Sequence, residues 1–174
     1  MQNRRLLNLP ENRQAELRRQ YPWLKAVAWD EAHPSNLRGM AITVFDHWLS
    51  REEANRLLEH VSPEEQASRK VRHARFCALL IAKTPVLPFV FRRQAKDRVS
   101  FRKFTSQEAL TKYCAPSSGQ TLGHRQFQVV LPELGCAFFE SWDDTHHFYF
   151  TNPAAIDPLR EWAGQCGLYL IEHG

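Results

Sequence analysis

Apolar residues recur along the chain with two periods, which together predict a mixture of helices and strands. Spacings of three and four positions, typical of amphipathic helices, occur in residues 54–61 and 71–81. Short alternating or continuous apolar runs, typical of strands, occur in residues 40–45, 89–91, 98–102, 127–131, 136–142, 146–151 and 168–171. This order predicts an α+β fold: an antiparallel sheet, with a meander near the C-terminus, packed with several amphipathic helices.

The longest predicted helix begins at Pro63. Ser62 supplies a capping hydroxyl, proline suits the first helical position, and two glutamates follow near the positive end of the helix dipole. Thr84 and Pro85 end the helix, because the residue before a proline disfavours the α region. We expect one buried side and one basic side. The predicted buried residues are Val71, Ala74, Cys77, Ala78 and Ile81, and those away from them are Arg69, Arg72, His73, Arg75 and Phe76.

A basic hairpin is predicted after this helix, with strands at residues 89–91 and 98–102 and a loop over residues 94–97. That loop would place Arg93 opposite Arg98, and like charges directly opposite each other destabilise a sheet. We therefore expect something anionic to relieve the repulsion.

A second hairpin is predicted around a two-residue turn at Asp143 and Asp144. The resulting cross-strand pairs are Glu140 with His147, Phe138 with Tyr149 and Trp142 with Thr145. The opposite face then contains core-like residues: Ala137, Phe139, Ser141, His146, Phe148 and Phe150.

Aromatic residues on both faces of this hairpin fit two arrangements. Either helices cover both faces, or Phe138, Trp142 and Tyr149 form a platform on which nucleic-acid bases stack. We favour the covered sheet, because large aromatic side chains are core residues far more often than docking surfaces.

A chain of 174 residues can bury a core without metal ions or disulfides, and we expect one domain over residues 1–174. Residues 115–123 have the composition of a linker and are predicted to form a mobile surface loop. Residues 10–21 are predicted to form a short surface helix.

Positive charge is concentrated in the middle of the chain. The net charge is +4, yet residues 61–125 contain 13 basic and four acidic residues, and residues 126–174 contain one basic and seven acidic residues. This asymmetry fits a nucleic-acid-binding protein, an electrostatically steered protein partner, or a fold whose two parts attract each other. Ordinary solvated surface charge is the simplest alternative.

Nucleic-acid binding is the function that we favour from this charge distribution. The predicted phosphate contacts are Arg69, Lys70, Arg72, Arg75, Arg92, Arg93, Lys96, Arg98, Arg102 and Lys103. We expect a small basic accessory protein of a larger nucleoprotein complex, with RNA or DNA and other protein subunits as partners. The alternative is a protein-interaction module, such as an inhibitor or immunity-type protein.

One group of residues has the composition of a catalytic site. Its members are Glu140, Asp143, Asp144, His146 and His147, which could bind a divalent metal or cleave a phosphodiester by acid–base chemistry. Their spacing matches no metal-site signature, and a two-aspartate turn is ordinary hairpin chemistry. The chain also lacks the nucleotide-binding, nucleophile-elbow and zincin motifs. A phosphodiesterase therefore ranks below both binding functions, and the protein is not predicted to be an enzyme.

Asp46 and His47 are adjacent, and neighbours on a strand point to opposite faces, so adjacency alone does not make them catalytic partners. We interpret the pair as structural residues of a loop. The four cysteines, at positions 77, 114, 136 and 166, are widely spaced and are predicted to be reduced and mostly buried. We expect no cofactor, no metal site and no membrane span, and a cytoplasmic location.

Overall fold

The computed structural model describes residues 6–32, 34–92, 95–115, 127–141 and 143–173, with only the backbone described at 92 and 95–97. The helices are α1 (Glu11–Gln20), α2 (Leu24–Ala28), α3 (Arg51–Ala54), α4 (Pro63–Lys83), α5 (Gln107–Tyr113) and α6 (Ile156–Gln165). A π-helical segment, Asn55–Glu59, continues α3, and a 3-10 turn, Pro153–Ala155, precedes α6. The strands are β1 (Leu6–Asn8), β2 (Arg38–Thr43), β3 (Leu87–Arg92), β4 (Ala95–Phe104), β5 (Gln128–Leu131), β6 (Cys136–Glu140), β7 (Thr145–Phe150) and β8 (Tyr169–Glu172).

The eight strands form one antiparallel sheet in the order β1-β4-β3-β5-β6-β7-β2-β8. The predicted meander, β5-β6-β7, lies in the middle of the sheet and is confirmed. With the six helices found among the described residues, the protein has the predicted α+β fold. Among the described residues, no helix has the length and apolar character required to cross a bilayer.

Helices cover parts of both faces of the sheet. On one face, which we call the helix-layer face, Phe138 and Phe148 pack with Phe76 and Leu80 of α4 and with Leu159 of α6. The other face, which we call the cleft face, contacts α1 and α2. Its core residues include Leu17, Tyr21, Leu24, Phe89, Phe101, Val130 and Ala137. The covered-sheet interpretation is therefore confirmed for Phe138, which has no exposed surface, whereas Trp142 lies outside the described residues.

Helix α4 begins as predicted, but only part of its buried side was predicted correctly. Cys77 is buried and Ile81 packs against the core, as predicted. The Ser62 hydroxyl accepts a hydrogen bond from the Glu65 amide, and Pro63 occupies the first turn. Val71 is 58% exposed, and Ala74 and Ala78 are also exposed. The buried residues are Arg69, His73, Phe76, Cys77 and Leu80. This stripe has the same helical period and buries the large side chains, and its two polar members find hydrogen-bond acceptors inside the fold.

The predicted register of the β6–β7 hairpin is wrong by one residue. Glu140 lies opposite His146, and Phe138 lies opposite Phe148. Asp143 and Asp144 do form the turn, both with positive φ, but the connection is longer than two residues. Because side chains alternate between faces, one extra residue moves every β7 side chain to the other face. His146 therefore lies on the helix-layer face, and His147 and Tyr149 lie on the cleft face.

The β3–β4 hairpin also differs from its prediction. Phe91 lies opposite Val99 and Arg92 opposite Ala95, with an irregularity between Phe91 and Arg92. Strand β4 therefore extends into the predicted loop, and Arg93 lies outside the described residues. Most of the predicted loop at 115–123 lies outside them as well.

Helix α1 was predicted to lie on the surface, but it packs against the sheet at β4. Leu17 is completely buried, and the Gln14 side chain both donates to the Phe101 carbonyl, at 2.6 Å, and accepts from the Phe101 amide, at 2.9 Å. The Leu9 amide also donates to the Phe101 carbonyl, at 3.3 Å, so the Gln14 side chain and the residue after β1 together cover this edge of β4.

Candidate functional site

Arg69, one of the predicted phosphate contacts, is a buried structural residue. Only 4% of it is exposed, and its guanidinium forms ion pairs with Glu65, at 2.9 Å, and with Asp144, at 3.1 Å. It also donates to the Leu57 carbonyl and lies 5.1 Å from the centre of the Phe45 ring. Arg69 therefore joins α4 to the β6–β7 turn and to the π-helical segment, and it is buried in the fold.

Arg98, the second predicted contact with a clear partner, pairs with a carboxylate of the same chain. Its Nη2 lies 3.0 Å from Glu11 Oε1, and Arg18 donates to the same oxygen at 2.8 Å. The hydrogen bond from Arg18, together with the charges of both arginines, lowers the pKa of Glu11. Helix α1 therefore supplies a carboxylate to Arg98, whereas the predicted opposition of Arg93 and Arg98 involves a residue outside the described part of the chain.

The other described basic side chains from the predicted set lie on two elements. Lys70, Arg72 and Arg75 are on α4, and Arg102 and Lys103 are on β4; none forms an ion pair within the described part of the chain. The side chains of residues 92 and 96 are not described. The described side chains lie on the helix and on the hairpin strand for which the sequence predicted phosphate contacts.

The five catalytic candidates do not meet at one site. Glu140 is buried and accepts a hydrogen bond from the Phe127 amide, while Asp144 binds Arg69 and Gln66. Asp143 is exposed at the turn. His146 and His147 lie on opposite faces of the sheet, so no shared acid–base centre forms.

His146 occupies the core beside a second histidine. It is 3% exposed, and its ring centre lies 4.5 Å from that of His73 and 5.4 Å from those of Phe127 and Phe138. Neither ring nitrogen of His146 has a hydrogen-bond partner among the described residues, whereas His73 Nε2 lies 3.0 Å from the Asp144 carbonyl oxygen. Burial, followed by the nearby charge of His73, holds the pKa of His146 well below its ordinary value.

His147 faces an open cleft and meets His173, a residue that the sequence analysis did not single out. His147 Nδ1 lies 2.9 Å from His173 Nε2. Two cavities of about 220 and 480 Å³ adjoin the pair, the first lined by His147 and the second by His173, and Tyr149 lines both. We call these three residues and the two cavities the histidine cleft.

Glycine 39 makes room for His173 in the histidine cleft. A Cβ atom at this position of β2 would lie 2.1 Å from His173 Nδ1, so only glycine lets the ring lie against the strand. The His173 amide donates to the Gly39 carbonyl at 3.1 Å, and the Trp48 indole donates to the carbonyl of the preceding Glu172 at 2.6 Å. A glycine inside an apolar strand was the one sequence signal that could have indicated this close approach.

Both imidazoles of the histidine cleft are neutral near pH 7. Burial, with a smaller contribution from His173, lowers the pKa of His147 to about 4, and burial also lowers the pKa of His173. One ring therefore donates an N–H to the unprotonated nitrogen of the other. Burial and the charge of Asp30 raise the pKa of Tyr149, so its hydroxyl stays protonated.

Asp46 and His47 interact as a structural pair in a loop, which is how the sequence analysis interpreted them. They lie in a bend after β2, where His47 Nδ1 is 2.5 Å from Asp46 and Nε2 is 3.1 Å from Glu53. Hydrogen bonds to Asp46 and then to Glu53 raise the pKa of His47. Glu53 also completes the capping box with Ser50 at the start of α3, so this exposed group supports a helix terminus.

The remaining chemistry of the described residues is limited. All four cysteines are buried free thiols, as predicted for their burial. No three His, Cys, Asp or Glu side chains among the described residues lie close enough together to hold a metal ion. Comparisons with protein-family models, with curated proteins and with solved structures found no match for this chain.

Proposed function

We propose that this protein binds nucleic acid through phosphate contacts made by the basic side chains of α4 and β4. The observation that carries the proposal is the distribution of ion pairs. Arg13, Arg38, Arg98 and Arg160 have carboxylate partners, whereas Lys70, Arg72, Arg75, Arg102 and Lys103 have none within the described residues. Within the described part of the chain, the positive charge at these positions therefore has no ion-pair partner, although, after the hydrogen bond from Arg69, the charge of Arg72 also lowers the pKa of the nearby Glu65. Arg69 is left out of the proposed contact set because it is buried.

The fold favours phosphate contacts over the reading of bases. Phe138, the central ring of the predicted stacking platform, is covered by α4 and has no exposed surface. Without such a platform, affinity would come mainly from arginine and lysine contacts to the backbone, which carry little sequence preference. This behaviour suits an accessory subunit of a larger nucleoprotein complex, which is the specific function that we propose.

A salt series with charge-matched variants tests this proposal. Binding to labelled single- and double-stranded DNA and RNA would be measured for the wild type, for Arg72→Ala/Arg75→Ala and for Arg13→Ala/Arg160→Ala. Each pair removes two positive charges, but the second pair comes from exposed ion pairs. Each lost phosphate contact should reduce the magnitude of the slope of log K against log salt by about 0.9 on duplex DNA, so about 2 for the first variant.

The control variant should retain the wild-type slope. Binding that does not weaken as salt rises, or an equal loss in both variants, would overturn the proposal. Circular dichroism of both variants would show that the fold is retained.

Protein interaction is a second candidate function, favoured by the apolar character of the exposed side of α4. Val71 is 58% exposed there and is flanked by the exposed Ala67, Ala74 and Ala78. A stoichiometric complex that survives nuclease treatment and is lost in Val71→Glu, while salt-dependent nucleic-acid binding persists, would support this function. If Val71→Glu leaves the complex intact, α4 is not the interface.

A further inference from the structure

The histidine cleft has the size and the lining of a small-ligand site. Its two cavities share Tyr149 as a common wall, and the larger, of about 480 Å³, is within the range of about 300–1,000 Å³ typical of ligand pockets. The Tyr149 ring centre lies 5.7 Å from that of Phe139, 5.5 Å from that of His173 and 6.4 Å from that of His147. All four rings are partly exposed, so the cleft offers aromatic surface to a ligand.

One carboxylate on the wall of the larger cavity has no cationic partner. Asp30 lies two residues after α2, with φ of 53°, and its amide donates to the Val27 carbonyl at 3.4 Å. It forms no ion pair within the described part of the chain. After the larger effect of burial, its charge raises the pKa of the Tyr149 hydroxyl. The carboxylate is therefore close to the aromatic wall of the cavity that both residues line.

The other charged residues that line the two cavities belong to the helix-layer face. Arg38 lies opposite Phe150 in the sheet, and its guanidinium lies 5.9 Å from the centre of that ring and pairs with Glu172 at 2.7 Å. By strand alternation, Glu172 and Glu140 have their side chains on the same face as Phe150. Among the described lining residues, Asp30 is therefore the one whose charge is not compensated on the cleft side.

We propose that the histidine cleft binds an organic cation, a guanidinium or primary ammonium group, with its charge at the Asp30 carboxylate and its apolar part against the Tyr149 ring. The faces of aromatic rings attract cations, and a carboxylate beside them favours a cation over a neutral or anionic group of the same shape. Residues 126–174, which supply β6, β7 and β8, contain one basic and seven acidic residues, so the field at the cleft also favours a cation. This site lies on the opposite face of the sheet from α4 and does not depend on nucleic-acid binding.

Three probes with the same ring and different charge test this proposal. They are benzamidine, which is a cation, benzamide, which is neutral, and benzoate, which is an anion. Their affinities for the full chain would be measured near neutral pH by amide chemical-shift titration. We expect one benzamidine per chain, with a dissociation constant in the millimolar range typical of so small a probe, and binding of benzamide at least about fivefold weaker. Benzoate should bind more weakly still, and the benzamidine shifts should be centred on Gly39, Tyr149 and His173.

A matched pair of exposed carboxylates separates the proposed site from general surface charge. Asp30→Asn should weaken benzamidine binding by about threefold or more and leave benzamide binding unchanged, and asparagine tolerates the same backbone conformation. Glu31→Gln is the control, because this adjacent carboxylate lies 3.9 Å from Lys25 and lines neither cavity. Tyr149→Leu should weaken benzamidine binding more than benzamide binding, because it removes the aromatic wall. If Tyr149→Leu fails to fold, the two exposed variants still decide the question.

A cation of this kind can come from a free amine or from an arginine side chain of a protein partner. Agmatine and the peptide acetyl-Gly-Arg-Gly-amide carry the same guanidinium and differ in the peptide groups around it. Tighter binding of the peptide would assign the site to a protein partner, and tighter binding of agmatine would assign it to a free amine. In both cases the binding should weaken in Asp30→Asn.

Benzoate or benzamide that binds as tightly as benzamidine would overturn the proposal. Unchanged benzamidine binding in Asp30→Asn, an equal loss in Glu31→Gln, or shifts confined to residues outside the histidine cleft would do the same. The absence of saturable benzamidine binding at millimolar concentrations would also refute it. Circular dichroism would check the fold of each variant.

Discussion

The buried His146 should make this protein unstable in acid. Its pKa is held well below the ordinary value of 6.5 in the folded state, and the unfolded chain exposes the ring to water. A proton therefore binds the unfolded state first as the pH falls. By linkage, the stability that comes from keeping His146 neutral is fully present above about pH 6.5 and is lost progressively below it. Replacement of His146 by leucine should remove this loss.

The loss of unfolding free energy depends only on the ordinary pKa of histidine when the folded-state pKa of His146 lies below the lowest pH of the experiment. Between about pH 7.5 and pH 5, one such histidine lowers the free energy of unfolding by about 2 kcal/mol. The limiting slope is about 1.4 kcal/mol per pH unit. His73, His147 and His173 also have lowered pKa values and act in the same direction, so the wild type should lose more than this amount.

Urea unfolding at a series of pH values would measure the effect in the wild type and in His146→Leu. At neutral pH the substitution should change stability by less than about 1.5 kcal/mol, because leucine is similar in size and the imidazole has no hydrogen-bond partner among the described residues. Below pH 6.5 the free energy of unfolding of the variant should fall less steeply with decreasing pH than that of the wild type. The difference in slope should approach that of one proton, about 1.4 kcal/mol per pH unit.

His47 provides the control, because its pKa is shifted in the opposite direction to that of His146. The pKa of His47 is raised by Asp46 and Glu53, so its pairing contributes stability below about pH 6.5 that is lost as the pH rises through the folded-state value. His47→Leu should therefore not make the acid limb shallower. If His146→Leu has the same slope as the wild type between about pH 5 and 6.5, the buried imidazole is not the source of acid sensitivity.

Three further predictions test the packing of α4 and of the thiols. Arg69→Ala should lower the free energy of unfolding by about 3 kcal/mol, because it leaves Asp144 without its charged partner, whereas the exposed Arg75→Ala should change it by less than about 0.5 kcal/mol in the same urea assay. Phe76→Ala should lower the free energy of unfolding by about 3–5 kcal/mol, and Val71→Ala should lower it by less than about 1 kcal/mol. The reverse order would show that Val71, and not Phe76, lies on the buried side of α4. Burial raises the pKa of Cys114 to about 12, so a thiol reagent should label it only after urea unfolding, and labelling of the folded protein would contradict this.

Several features of this protein are local, and those were predictable from residues close together in the chain. Ser62 and Pro63 mark the start of α4 because a helix cap is completed within one turn. The strands β5, β6 and β7 follow from short apolar runs between turn residues, and together with the helical periods they establish the α+β fold. The burial of the four cysteines also followed from their type and spacing.

Candidate site residues were harder to assign, because their surroundings come from distant parts of the chain. Arg69 was counted as a surface cation, yet its carboxylate Asp144 lies 75 positions later and turns it into a core residue. His147 was paired with Glu140, whereas its partner is His173, 26 positions away on the segment after β8. The charge pattern identified basic segments but could not show which charges were already paired.

What the amino-acid sequence determined by itself was the type and order of most helices and strands, and the start of α4, because caps, periods and turns act over a few residues. The tertiary structure alone decided which side of α4 is buried and which face each β7 residue occupies. A helix can rotate by one position, and a hairpin can shift by one residue, with the same local pattern. The choice depends on packing between distant elements, and that choice separated His146 from His147 and placed one in the core and the other in the histidine cleft.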